Sequence, residues 1–185
     1  EHLAGYCSEI TVTLNNDGTA TIIDNGRGIP IGIHPKAGIP AVEVVFTVLH
    51  AGGKFGDGGY KISGGLHGVG ASVVNALSVW LEVEIKVDGG VYRQRYERGK
   101  AVAPLEKVGT CRKNDTGTKV TFLPDGEIFE KTRFKSDAIK SRMHETTYLN
   151  PGLTIHFEDK RSGSEEKITY SEPDGIKAYV KELNN

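Results

Sequence analysis

Thr19-Ala20-Thr21-Ile22-Ile23-Asp24-Asn25-Gly26-Arg27-Gly28-Ile29-Pro30 is the stretch on which the reading of this chain turns. Its first half is β-branched and strand-like, and it carries one carboxylate, Asp24, to the strand's end. Its second half turns the backbone with Gly26 and Gly28, so a single acceptor is held at the floor of a turn. A later block, Gly64-Gly65-Leu66-His67-Gly68-Val69-Gly70, opens directly into an apolar helical pattern of Val69, Val73, Val74 and Leu77. Free amides and a helix dipole converge there, which suits a phosphate. Together the two blocks describe a nucleotide site, with an acidic residue for a base edge and an amide-rich helix start for the phosphates.

Upstream, Glu9 to Leu14 is a second strand, joined to the first by Asn15-Asn16-Asp17-Gly18, and this turn chemistry predicts an antiparallel hairpin. Glu1 to Tyr6 reads as the tail of a helix with Gly5 near its end. Downstream, Pro40 starts a helix whose apolar residues Val42, Val45, Phe46 and Leu49 recur at spacings of three and four, and which ends before Gly52-Gly53. Nine of the 24 glycines fall between Gly52 and Gly70. Such a segment is costly in entropy to order, and it reads as a lid. Leu81 to Val87 and Val91 to Tyr96 form a second hairpin around Asp88-Gly89-Gly90. Leu105 to Cys111 and Lys119 to Leu123 are further strands, the latter stopped by Pro124-Asp125-Gly126. Ser136 caps a helix to Leu149, closed by Asn150-Pro151-Gly152. Leu153 to Phe157 and Lys167 to Tyr170 make a final hairpin across the charged, Ser/Gly-rich stretch Glu158 to Glu166, expected to be a solvated loop. Ile176 to Leu183 is a short helix.

Hairpins outnumber strand-helix-strand units, so the expected class is α+β: a two-layer sandwich with a mostly antiparallel mixed sheet and helices on one face. At 185 residues and 37% hydrophobic the chain fits one domain over residues 1–185, enough to bury roughly 70% of its unfolded surface. A net charge of −1 with mixed signs provides no basic stripe for nucleic acid. Cys7 and Cys111 are too few for a disulfide framework and lack metal-ligand spacing, which favours a reducing, cytoplasmic setting and no metal held by this chain's own residues. The longest apolar stretch, Ala41 to Leu49, falls far short of the roughly 20 residues of a membrane span, so no membrane partner is expected.

A glycine-rich loop alone carries little weight. The P-loop needs Gly-Lys followed by Ser or Thr, and Gly53-Lys54 is followed by Phe55. A Rossmann fingerprint follows a first strand directly, whereas Gly65 to Gly70 follows a long glycine-rich segment. What remains is an Asp-x-Gly-x-Gly turn paired with a later Gly-x-x-Gly-x-Gly loop. DNGRGIP (Asp24 to Pro30), LHAGGKF (Leu49 to Phe55), GGLHGVGASVVNAL (Gly64 to Leu77) and GTKVTFLPD (Gly117 to Asp125) resemble, in order and spacing, the ATPase domain of bacterial type II topoisomerases, in the superfamily of gyrase, heat-shock chaperone, histidine kinase and MutL ATPases. The resemblance covers essentially the whole chain. Asn25 with Ile29 is more similar to the gyrase B branch than to the topoisomerase IV branch.

The resemblance implies roles residue by residue. Asp24 would accept the adenine exocyclic amine, with Thr118 supporting it through a shared water; the competing readings are a turn-initiating Asp that caps its own backbone and an ordinary strand threonine. Ile29, Pro30, Val45 and Val120 would flank the base by apolar contact, each being equally at home as plain core, and Gly28 would belong to the ATP-binding turn. Leu66, His67, Gly68, Val69 and Gly70 would offer backbone amides to the β- and γ-phosphates, so His67 acts by main chain. Lys54 would meet the γ-phosphate, with Tyr60 and Lys61 beside it in the lid. Arg27 would pair with Glu1 at the pocket rim. Val87 departs from relatives with arginine at the pocket mouth.

The family's general-base glutamate and its magnesium-binding asparagine belong to a helix preceding Glu1, and its γ-phosphate lysine to a following domain. The expectation is therefore a domain truncated at its first motif helix, without transducer or DNA-cleavage domains, that binds nucleotide with no catalytic residue of its own. By resemblance the cofactors are ATP and Mg2+. The partners are gyrase A, DNA through other domains, and ATP-competitive inhibitors. The full N-terminal region would dimerise with ATP while this fragment stays monomeric. The implied function is ATP-driven negative supercoiling by double-strand passage, with decatenation by a topoisomerase IV relative as the alternative.

Overall fold

The computed structural model describes residues 1–49 and 68–184. Among them, nine strands form one sheet: β1 Glu9–Leu14, β2 Ala20–Asp24, β3 Ser78–Val87, β4 Gly90–Glu97, β5 Lys100–Ala101, β6 Glu106–Thr110, β7 Gly117–Pro124, β8 Thr154–Asp159 and β9 Glu166–Ser171. The helices are α1 Ala41–Thr47, α2 Gly70–Ala76, α3 Ser136–Leu149 and α4 Ile176–Leu183, and a 3₁₀ turn, His2–Ala4, precedes β1. The strand order is β5-β4-β3-β7-β2-β1-β8-β9, with β6 also on β4. Every pairing is antiparallel except β1 with β8.

The first hairpin forms for local reasons. The Asn15 N–H donates to the Thr19 carbonyl at 2.9 Å, and Asp17 Oδ1 accepts from the Thr19 amide and hydroxyl at 3.0 and 2.6 Å. Gly18 takes the left-handed φ of +85° that closes the turn.

Strand register then fixes which side chains share a face, because alternate residues point to opposite sides. Ile155, Ile10, Asp24, Thr118 and Ile85 lie in one crosswise row; Phe157, Val12, Ile22, Val120 and Val83 make the next but one; Asp159, Leu14, Ala20, Phe122 and Leu81 make the third. This is the apolar face, and the helices cover it. Val42 and Phe46 of α1 pack with Leu81, Val83, Ile85 and Tyr96, while Met143 of α3 packs with Leu14, Leu153, Ile155 and Phe157. Phe122 touches both clusters. Each side chain fully buried here contributes about 1.5–3 kcal/mol. The other face carries Thr21, hydrogen-bonded to Thr121 at 3.0 Å, and Arg95 stacked 4.6 Å over Trp80. It is the polar side of a one-sided sheet, as the α+β expectation requires.

Two expectations are corrected. Ser136 does not cap α3: Lys135 holds the cap position without a side-chain bond, and the Ser136 hydroxyl donates to Asp159 Oδ2 at 2.8 Å. Nor is the stretch from Glu158 to Glu166 wholly solvated. Asp159 and Arg161 within it are 2% and 8% exposed and form an ion pair at 2.6 Å. A serine beside a buried carboxylate gains more from a charge-assisted bond than from an exposed helix end. The two-residue strand β5 escaped the sequence because it is held only by its register on β4.

Candidate functional site

The turn after β2 places Asp24 where the row pattern calls for an aliphatic residue. Its carboxylate lies on the helix-covered face, between Ile10 of β1 and Thr118 of β7. Oδ1 accepts the Gly26 N–H at 2.8 Å, so the carboxylate does cap its own turn. Burial pushes its pKa above the ordinary carboxylate value; the Gly26 and Thr118 amides pull down, and nearby Glu1 pushes up again. Among the described residues no cation forms a salt bridge with it. A half-buried acceptor in this state favours a ligand that brings a hydrogen-bond donor.

The glycines around it answer to steric demands. Gly28 has φ +81°, and a Cβ there would come within 2.7 Å of the Lys86 carbonyl. A Cβ on Gly117 would collide with the Asp24 carbonyl itself. The turn therefore lies flat against β3 and β7, and only glycine permits the approach. The Ile29 N–H donates to Thr118 Oγ1 at 3.3 Å, which pins GRGIP to the sheet. Thr118 thus supports the turn directly.

Ile29, Val45 and Val120 pack on the Val42–Phe46–Val83–Ile85 cluster, so they belong to the core, and Val87 joins the same cluster. Pro30 is exposed. Ala71, in the first turn of α2, packs on that cluster too, which brings the start of α2 to the side of the sheet where Asp24 lies. Gly68 is left-handed at φ +62°, Val69 is the cap residue of α2, and Gly70 begins the helix with open space where a Cβ would stand. Lys54, Tyr60, Lys61, Leu66 and His67 lie outside the described residues.

Within the turn, Arg27 meets Glu1 in a two-point pair, Nε to Oε2 at 3.0 Å and Nη2 to Oε1 at 2.8 Å, while its backbone N–H also reaches Oε2 at 3.1 Å. Its guanidinium lies 3.8 Å over the Tyr6 ring. The residue that sequence reasoning passed over is Asn25. Its Oδ1 accepts the Ser8 and Glu9 amides at 2.9 and 3.0 Å, and its Nδ2 donates to Ser8 Oγ at 2.9 Å. It clamps the start of β1 to the turn that follows Asp24. Its place between an Asp and a Gly was the available signal, since Asn in turns bonds to backbone.

No group of three or more His, Cys, Asp or Glu side chains converges among the described residues in a way that could hold a metal ion. No helix of theirs is long and apolar enough to cross a membrane.

Residues 1–128 match the family model described as histidine kinase-, DNA gyrase B-, and HSP90-like ATPase. The chain is 58% identical over its whole length to the DNA gyrase B protein of Thermotoga maritima, and 55% identical over its whole length to the DNA topoisomerase 4 B protein of Streptococcus pneumoniae. It spans 28% of the length of each of these curated relatives. Among solved structures, the 43K ATPase domain of Thermus thermophilus gyrase B, in complex with an aminocoumarin, superposes with a TM-score of 0.86 at 42% identity, over 99% of this chain and 45% of that one. The topoisomerase IV ATP-binding domain of Francisella tularensis, bound to a small-molecule inhibitor, gives 0.83 at 36%, over 98% and 48%.

Proposed function

Because this chain belongs to the histidine kinase-, DNA gyrase B- and HSP90-like ATPases, and within them matches the ATPase domain of gyrase B and topoisomerase IV B along its length, we propose that Asp24 and the start of α2 are its ATP site. The observation that carries this reading is the row Ile10, Asp24, Thr118, Ile85, in which one carboxylate interrupts an apolar face. An adenine laid against Ile29, Val45 and Val120 would present its exocyclic amine to Asp24, and the ionised form is the better acceptor. The triphosphate would run toward Gly68, Val69 and Gly70, whose amides need close backbone approach and no particular side chain. Lys54, Tyr60, Lys61, Leu66 and His67 complete that half of the site in this proposal.

Mg2+ would accompany the triphosphate and supply charge neutralisation there, and no residue of this chain is assigned as its ligand. The chain's own groups recognise the purine, orient the phosphates and exclude water from the base; none of them is assigned to proton transfer. In the whole protein, ATP would be bound more tightly by a closed, dimerised N-terminal region than by the open one, and that difference in affinity would drive duplex passage together with gyrase A. Cytoplasmic action on DNA follows from this proposal. Aminocoumarin-like and other ATP-competitive inhibitors would bind at the Arg27–Glu1 rim.

The test is calorimetry with a non-hydrolysable ATP analogue and its guanine counterpart. Binding of the adenine form alone, weakened in Asp24→Asn, is the expected result; equal binding of both would overturn the assignment. Negative supercoiling by the intact protein would support the gyrase branch. The Streptococcus pneumoniae relative at 55% identity keeps decatenation as the second reading, and a decatenating enzyme that introduces no negative supercoils would establish it.

A further inference from the structure

Far along the same face from Asp24, three connections meet around a cavity of about 310 Å³: the β1–β2 turn, the segment before α3, and the β8–β9 loop. Arg161 forms part of its wall. A guanidinium has five N–H donors, and four of these are engaged: Nε on Asp159 Oδ1, Nη2 on Asp159 Oδ2 and on Ser136 Oγ, and one Nη1 hydrogen on the Phe134 carbonyl. One Nη1 hydrogen is left. The side chain is immobilised by these bonds and 10% exposed, so its remaining donor is offered without further ordering cost.

The surroundings add positive charge and hydroxyls. Arg133 and Thr132 line the same cavity, as do Asn16 and Ser162, and the Ser162 N–H donates to Asn16 Oδ1 at 2.8 Å, tying two of the three connections together. Among the described residues Arg133 has no ion-pair partner, nor do Lys131 and Lys135 on either side of it, whereas the Asp159 oxygens are occupied by Arg161 and Ser136. A buried, preset guanidinium N–H, a free exposed guanidinium and two hydroxyls suit a terminal phosphate, which offers three acceptor oxygens and a charge near −2.

We propose that this cavity is a second ligand site, one that takes the phosphate of a small phosphate monoester between Arg133 and Arg161. Its volume is that of a small-molecule pocket. A nucleic-acid diester, held in a continuous backbone, would have to reach a recessed donor that a terminal phosphate reaches directly. The site does not depend on the nucleotide assignment at Asp24.

Amide-resolved NMR of the 185-residue chain separates the two sites. Glycerol 3-phosphate is expected to shift the Asn16, Thr132 and Ser162 signals saturably, with inorganic phosphate acting on the same signals more weakly. Arg133→Ala, which truncates an exposed side chain, is expected to leave the remaining spectrum in place and to weaken binding by at least about tenfold. No saturable shift at these amides up to about 10 mM glycerol 3-phosphate would overturn the proposal. So would equal binding by Arg133→Ala, or shifts produced by a short DNA duplex and not by the monoester.

Discussion

Asp24 and Asp159 stand on one face of one sheet, beside Ile10 and Leu14 at the two ends of β1, and their surroundings treat them in opposite ways. Asp159 is held well below the usual carboxylate range by Arg161 and, further, by the Ser136 hydroxyl. Asp24 is pushed up from the ordinary carboxylate value by burial, with two backbone amides as partial compensation. The first arrangement compensates the carboxylate inside the protein, so the carboxylate itself gains nothing from a ligand. The second leaves a charge whose best remaining partner comes from outside. Incomplete compensation of a carboxylate is a pointer to a binding site, and the two ends of β1 set a fully compensated and a partly compensated carboxylate on one sheet.

The largest effect expected from breaking this contrast is at the compensated end. Asp159→Ala leaves Arg161 buried without its partner and should cost about 3–5 kcal/mol in urea unfolding, while nucleotide affinity of the remaining folded protein is unchanged. At the other end, Asp24→Asn should leave the urea midpoint the same or slightly higher and weaken ATP binding by roughly 10- to 100-fold, the equivalent of a hydrogen bond to a charged group at about 1.5–3 kcal/mol. If both variants lose stability alike, the contrast fails.

Acid sharpens the comparison. The stability contributed by Asp159 is present above its unfolded value of 3.8 and is lost only as pH falls through its lowered folded value. Asp24, its pKa raised, takes up its proton first, and that protonation favours the folded state. Lowering the pH should therefore remove ATP binding while the fold persists, with calorimetry and circular dichroism giving separate midpoints, the binding midpoint at the higher pH.

Gly28→Ala sets a left-handed Cβ against the Lys86 carbonyl and should cost about 1–2 kcal/mol, read as a lower thermal midpoint together with weaker nucleotide binding. The smallest effect belongs to Arg27→Ala. The Glu1 pair is partly exposed and should contribute about 0–1 kcal/mol to stability, so any loss of inhibitor affinity in that variant reports the rim and not the fold.

Local chemistry was legible in the sequence and distant compensation was not. The Asn15-to-Gly18 turn, the end of α3 at Leu149, the bounds Ile176–Leu183 of α4, and the glycine spacing after Asp24 are written in neighbouring residues. That Gly117 must be glycine to lie on the Asp24 carbonyl depends on β2 pairing with β7, which no local pattern states. Ser136 read as a cap because its competitor, Asp159, lies 23 positions away. The Glu158-to-Glu166 stretch read as solvated because composition records charge and cannot record whether an Arg has found its Asp inside the fold. Within the site, the acidic turn and the helix start were visible from motif, while Asn25's clamp on Ser8 and Glu9 required knowing that β1 begins beside it.

The parallel pairing of β1 with β8 sets Glu9 beside Thr154, and β2 pairs in turn with β7. Strands from the first 24 residues thus lie between partners translated far later. On a ribosome, β3 and β4 can zip as a hairpin soon after they emerge, but the floor beneath Asp24 has to wait for Thr118, and its outer flank for Ile155. Loop-closure entropy makes these distant pairings the slow ones. Nucleotide capture would then appear late and abruptly during synthesis, making it a timestamp for the last central strand to dock.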